Sequence, residues 1–167
     1  MKHIVSALVY NRSGVLTRVS GMFSRRGFNI DSLAVGTTED PSISRMTIVA
    51  NGDDATIDQM LRQLEKLVDV ITAKRLKPKS TVARQLALFK VNCSGENRSE
   101  IVQISDIFRG NVIDISSNTL TIEITGTEDK VSALYSMLKP YGILEVVKTG
   151  AIAIERGEKI LNAEGMI

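Results

Sequence analysis

Histidine and cysteine each occur once in this 167-residue chain, as His3 and Cys93, and tryptophan does not occur at all. A single cysteine excludes an intramolecular disulfide and a cysteine-based metal cluster, and it fits a reducing compartment. There is no Walker-type phosphate loop, no GxGxxG, no HExxH and no GxSxG. The common nucleotide, dinucleotide, zinc-protease and hydrolase signatures are therefore missing. Carboxylates could still serve acid–base chemistry, yet no Asp/Glu pair stands out from helix caps and solvated faces. No catalytic residue, metal site or cofactor is assigned to the chain. Charge of one sign is lacking too: 21 Lys plus Arg face 19 Asp plus Glu, a formal +2. That balance gives no electrostatic ground for a nucleic-acid or membrane partner. No window approaches the roughly 18 apolar residues that cross a bilayer. The opening MKHIVSALVYNRSG breaks at Asn11–Gly14 with no small-residue cleavage site, so it reads as a strand and not a signal peptide. The expectation is a soluble, cytoplasmic protein in which nothing recommends an enzyme without excluding one.

What is present is an average globular composition, 43% hydrophobic and 24% charged, arranged as a repeat. MTIVANGDDATIDQMLRQLEKLVDVITAKRL, from Met46, aligns without a gap to LTIEITGTEDKVSALYSMLKPYGILEVVKTG, from Leu120. Thr47 meets Thr121, Gly52 meets Gly126, Leu64 meets Leu138 and Lys74 meets Lys148. The front ends match more weakly, through MFSRRGFNID and DIFRGNVID, with the second copy about nine residues shorter between the two blocks.

In copy one, HIVSALVY reads as a buried strand. Val15, Leu16, Val19, Met22 and Phe23 then fall on one helical face. FNIDSLAVGTT and SRMTIVAN flank the turn signal Glu39-Asp40-Pro41. Asp53 or Asp54 caps a second helix with the stripe Ile57, Met60, Leu61, Leu64, Leu67, and VDVITAKRL is the last strand. In copy two, Asn97 and Glu100 form a variant capping box, Ser117-Asn118 turns a hairpin, and Thr127 caps a helix with Val131, Leu134, Tyr135 and Leu138 inward. ILEVVKTGAIAIER closes it.

The fold class is α+β: two ferredoxin-like βαββαβ units, residues 1–76 and 83–167, joined by a linker at 77–82 that contains Pro78. Each unit is small, with one sheet face bare, so pairing between copies or between chains is expected.

The turn NRSG is the candidate site. The first amides of a helix lack intrahelical partners and sit at the positive end of its dipole. Gly14 has no Cβ, so an anion can approach the backbone there. Asn11 and Asn29 supply polar contacts, with Asn29 expected beside the turn, and Val15, Leu16 and Ile30 an apolar wall. This chemistry suits a small zwitterion with an aliphatic side chain. An anion at a helix terminus contributes about 0.3–2 kcal/mol and burying a valine-sized group about 1.5–3 kcal/mol. With hydrogen bonds of about 1 kcal/mol each, the total reaches the roughly 4–6 kcal/mol of sub-millimolar binding. Read one at a time, the same residues are ordinary: Ser13 a helix cap, Gly14 a turn residue, Asn11 and Asn29 polar strand ends.

The block NRSGVLTRVSGMFSRRGFNIDSL, followed by DPSISRMTIV and QLEKLVDVI, resembles the small, regulatory subunit of acetolactate synthase (acetohydroxyacid synthase). The likeness extends through DIFRGNVIDIS and TGAIAIERG, over nearly the whole chain. It implies an N-terminal ACT domain that binds amino acids at a dimer interface. It implies no catalysis by this chain, and as partner a catalytic (large) subunit that carries thiamine diphosphate, Mg²⁺ and FAD. It further implies that the chain activates that subunit and confers feedback inhibition by a branched-chain amino acid, usually valine. By position, Asn11, Gly14 and Asn29 match the family's effector-binding residues, and Val15, Leu16 and Ile30 the surrounding contacts. Ala34 and Gly36 stand where some relatives carry Thr and Ala, a departure that bears on effector choice. Copy two has Cys93-Ser94-Gly95-Glu96 in place of NxSG, and its Glu96 and Glu100 would repel a carboxylate, so no effector is expected there. Alternatives are an ACT sensor serving another enzyme, or an RNA-binding module of the same plan. The latter needs strand aromatics, of which SALVY and RMTIV offer only Tyr10.

Overall fold

The computed structural model describes residues 1–162 and forms two compact units. The first runs β1 (Lys2–Tyr10), α1 (Val15–Arg26), β2 (Ile30–Thr37), β3 (Ile43–Asn51), α2 (Asp54–Leu64) and β4 (Val70–Leu76). Its sheet order is β2-β3-β1-β4, with every neighbouring pair antiparallel. The second runs β5 (Thr81–Asn92), α3 (Arg98–Ile107), β6 (Asn111–Ile115), β7 (Thr119–Gly126), α4 (Glu128–Leu138) and β8 (Ile143–Lys148), in the equivalent order β6-β7-β5-β8. Both are βαββαβ units, as the repeat predicts. The nine-residue shortening falls in the β6–β7 hairpin, which turns tightly with the Ser116 N–H donating to the Thr119 carbonyl at 2.9 Å.

Strand alternation builds the first core. Val5, Ala7 and Val9 of β1 and Met46, Ile48 and Ala50 of β3 point to the helices, where Val19, Met22, Phe23, Ile57, Met60 and Leu64 meet them. Leu16 departs from the expected stripe: it is 48% exposed while Val15 is buried. In the second unit Phe89, Ile122 and Ile124 play the same part against Ile101, Val131, Leu134 and Leu138. Tyr135, expected inward, is half-exposed, with its ring 6.5 Å from that of Phe89.

Two local expectations change, and one open choice between neighbours resolves. The N-cap of α1 is Gly14 rather than Ser13, and Asp53 rather than Asp54 caps α2 by accepting from the Thr56 N–H. The capping box at α3 does not form. Asn97 Oδ1 instead accepts from the Ser94 N–H at 2.7 Å, and Glu100 accepts from the Tyr141 hydroxyl at 3.0 Å.

The domain division differs at the carboxyl end. The strand expected to close the second unit breaks at Gly150, which has φ +77°. Residues 151–162 group with Met1–Val82, not with Ala83–Gly150. Strand β9 (Ile152–Glu155) pairs with β5 and lies against β1. The Arg156 N–H donates to the Ser80 carbonyl at 2.8 Å, and Glu155 pairs with Lys74 at 2.7 Å. Those bonds hold the segment to the first unit, and sequence pattern alone does not reveal them.

Candidate functional site

Strand β1 ends where its hydrogen bonds pass from sheet to loops. The Tyr10 N–H donates to the Asp69 carbonyl at 2.9 Å and the Asn11 N–H to the Ser42 carbonyl at 2.7 Å. Asn11 Nδ2 donates to the Pro41 carbonyl at 2.9 Å. Its Oδ1 has no partner among the described residues and remains an acceptor. The Pro41–Ser42 backbone is itself held by Asp40, whose Oδ1 accepts from the Ser42 N–H at 2.8 Å and hydroxyl at 2.7 Å. Those two bonds lower the Asp40 pKa below its ordinary 3.8.

The turn then enters α1 through Gly14 at φ +84°, ψ −7°, a left-handed conformation that favours glycine. A Cβ there would lie 3.1 Å from Arg18 Nη1. Helix α1 has no side-chain cap and no acidic residue in its first turn. The Gly14, Leu16 and Thr17 amides find no acceptor among the described residues, and the Val15 amide makes only a 3.4 Å bond to Arg12. This is an open set of donors at the positive end of a dipole. Leu16 stands exposed beside it, and Arg12 lies 4.8 Å over the Tyr10 ring. Val15 contributes backbone only, because its side chain belongs to the core.

Asn29 is not beside this turn in the same chain. Ile30 is in register with Ala50, which pairs with His3 at the start of β1. Asn11 follows Tyr10 at the other end of that strand. The two places are roughly 26 Å apart, at about 3.3 Å per strand residue. The expectation that β2 returns Asn29 to the turn fails on topology. The helix carries the chain down the sheet, so β2 starts at the far end and runs parallel to β1. Asn29 is exposed there and Ile30 is half-buried against the core.

Two residues that sequence reasoning passed over shape the turn. Arg18 Nε donates to Asp69 Oδ2 at 2.5 Å, and the Arg18 N–H donates to the Gly14 carbonyl at 3.0 Å. A cation in the first turn of a helix opposes the dipole, and that was the available signal. Asp69, far along the chain, had none.

Comparison with known proteins decides the family. Residues 5–72 match the AHAS small subunit-like ACT domain, and residues 84–157 match a family described as small subunit of acetolactate synthase. A probable acetolactate synthase small subunit of Methanothermobacter thermautotrophicus is 48% identical over 95% of both chains. The chain belongs to the acetolactate synthase small-subunit family. The small subunit of Mycolicibacterium smegmatis is 45% identical, over 96% of this chain and 95% of its own. The crystal structure of the small subunit from Thermotoga maritima superposes with a TM-score of 0.89 at 42% identity, covering 95% of this chain and 99% of that one.

Membership and the ACT domain give this small subunit a regulatory role. All six candidate residues fall inside the ACT match. Among the described residues, no helix is long and apolar enough to cross a membrane, and no group of His, Cys, Asp or Glu is placed to hold a metal ion.

Proposed function

We propose that this chain activates the thiamine-diphosphate-dependent catalytic subunit of acetolactate synthase and confers feedback inhibition by a branched-chain amino acid, valine foremost. The effector sits between two copies of the first unit. The observation that carries this reading is the uncapped α1 terminus, with its free amides, exposed Leu16 and the vacant Oδ1 of Asn11 together. The amides receive the carboxylate, Asn11 Oδ1 accepts from the ammonium, and Leu16 covers the side chain.

The distance to Asn29 is what a dimer removes. Strand β2 is an edge, with a full row of unpaired backbone groups on its outer side. Two β2 edges pairing antiparallel about a two-fold axis set the start of one beside the end of the other. Thr37 ends β2 at the level of Ser44, which pairs with Val9, so this is the end that carries the turn. Asn29 and Ile30 of a second copy arrive there and complete the site.

Regulation follows by linkage. An effector that bridges two copies favours the arrangement it bridges. A catalytic subunit that distinguishes this arrangement from the empty one is then inhibited, with a coupling of about 1–3 kcal/mol. The catalytic cofactors stay with that partner.

A mixing experiment tests the reading. Gly14→Asp and Asn29→Ala homodimers should each fail to bind valine by calorimetry. Once exchanged into heterodimers, one site per dimer keeps both native halves. Recovery of about half the wild-type stoichiometry supports an interface site. No recovery in verified heterodimers rules it out.

A further inference from the structure

We propose that Arg18 is the residue through which this site recognises the charge of a carboxylate, and that Asp69 is its positioning residue. The inference rests on the reading of the α1 turn as an amino-acid site, and it assigns the ion pairing within it.

Three observations converge. Arg18 is a cation in the first turn of an uncapped helix, where the dipole disfavours it. Its guanidinium nevertheless folds back over the turn, with Nη1 3.1 Å from where a Cβ of Gly14 would stand. That is the side of the turn that the missing Cβ leaves to the guanidinium. Finally, the group is fixed by Nε, which donates to Asp69, and not by its outer nitrogens. Neither Nη1 nor Nη2 has a partner among the described residues. Half the side chain is exposed, whereas Asp69 is only 7% exposed.

Asp69 holds both ends of the turn. Its carboxylate takes Arg18 from the helix, and its carbonyl takes the Tyr10 N–H from the strand just before Asn11. A guanidinium tied at Nε presents its remaining N–H groups in a fixed plane, the geometry suited to a carboxylate. A merely structural pair would fix the turn, and replacing Arg18 would then leave the preference for valine over valinamide as it is.

The experiment is calorimetric titration of the full chain with valine and with valinamide, which keeps the side chain and ammonium but has no carboxylate. The wild type should prefer valine by about 10-fold or more. Arg18→Gln should lose about 10–100-fold in valine affinity, the size of a lost charge-assisted bond, with valinamide affected little. Arg18→Gln leaves Asp69 buried without its cation, so the double variant Arg18→Gln/Asp69→Asn is measured alongside to keep the packing neutral. It should show the same collapse of preference. Arg18→Lys should recover part of the preference, because the charge returns without the fork.

A variant that binds valine and valinamide in the wild-type ratio overturns the inference and leaves the site reading intact. A wild-type chain that binds none of valine, leucine and isoleucine overturns the site reading itself, and the assignment of Arg18 with it.

Discussion

The two units place the same kind of turn at the same position, after the first strand and before the first helix, and finish it in opposite ways. In the first unit, Gly14 takes a left-handed conformation, no side chain caps α1, no acid enters its first turn, and Arg18 leans over the amides. In the second, Asn97 takes the Ser94 amide and Glu100 occupies the first turn, where it accepts from Tyr141. The arginine there, Arg98, turns away to the Ser116 and Ser117 carbonyls of the β6–β7 hairpin and to the Cys93 sulfur. Neither helix has a side-chain cap; what differs is that an acid stands in the first turn of the second and an arginine in that of the first. The lesson is that a repeated fold copies the place for a site but not the site, because a few charged side chains decide what the helix amides can receive.

The sharpest way to break this contrast is Gly14→Asp. The substitution puts a Cβ into a left-handed backbone and a carboxylate over the amides that would hold the effector's own. Valine binding should fall by at least about 100-fold, and the reconstituted enzyme should lose feedback inhibition while activation persists. Asn11→Ala should cost less, about 10-fold in affinity, since one acceptor is lost and the Pro41 carbonyl loses its donor.

Acid should loosen the first turn through Asp40. Its pKa is lowered in the folded chain, so its contribution to stability is complete above the ordinary 3.8 and lost as pH falls through the lower folded value. The Ser42 amide should lose hydrogen-exchange protection in that window, and Asp40→Asn should abolish the dependence. In the second unit, Thr127→Ala removes the cap that accepts from the Lys130 amide. It should lower stability in urea melts by roughly 0.5–1 kcal/mol and leave valine binding unchanged, because that terminus serves the fold alone.

The smallest effect should come from Glu100→Gln. Tyr141 titrates above its ordinary 10.0 because its hydroxyl donates to Glu100. Its contribution is therefore complete below that value and lost as pH rises through the higher folded one. The substitution should return the tyrosine toward 10 in an ultraviolet titration. Valine stoichiometry should stay at one per chain, since removing the acid does not recreate an Asn11 or a Gly14 in the second turn.

Much of this was legible in residue order. The alternation in HIVSALVY, the stripe Val19–Met22–Phe23 and the glycine after the first strand all report local periods of two and 3.6. Asn11 and Gly14 stand out for the same reason, as a polar strand end and a residue suited to an unusual turn. Leu16 was misplaced as a core residue. It lies at the margin of the helical stripe, where periodicity does not separate a buried edge from an exposed one. Asn29 was placed beside the turn because nearness in sequence was taken for nearness in space, and a helix of twelve residues carries it to the far end of the sheet.

The sequence by itself determined two βαββαβ units, their hydrophobic faces and a glycine turn after the first strand, since each follows from side chains a few positions apart. Tertiary structure alone decided three things. It set Asn29 a sheet-length from Gly14, returned the segment after Gly150 to the first unit, and brought Asp69 under Arg18 across 51 residues of chain. Strand order and register are fixed by pairings between remote segments, and a partly buried ion pair forms only where those pairings bring its partners together.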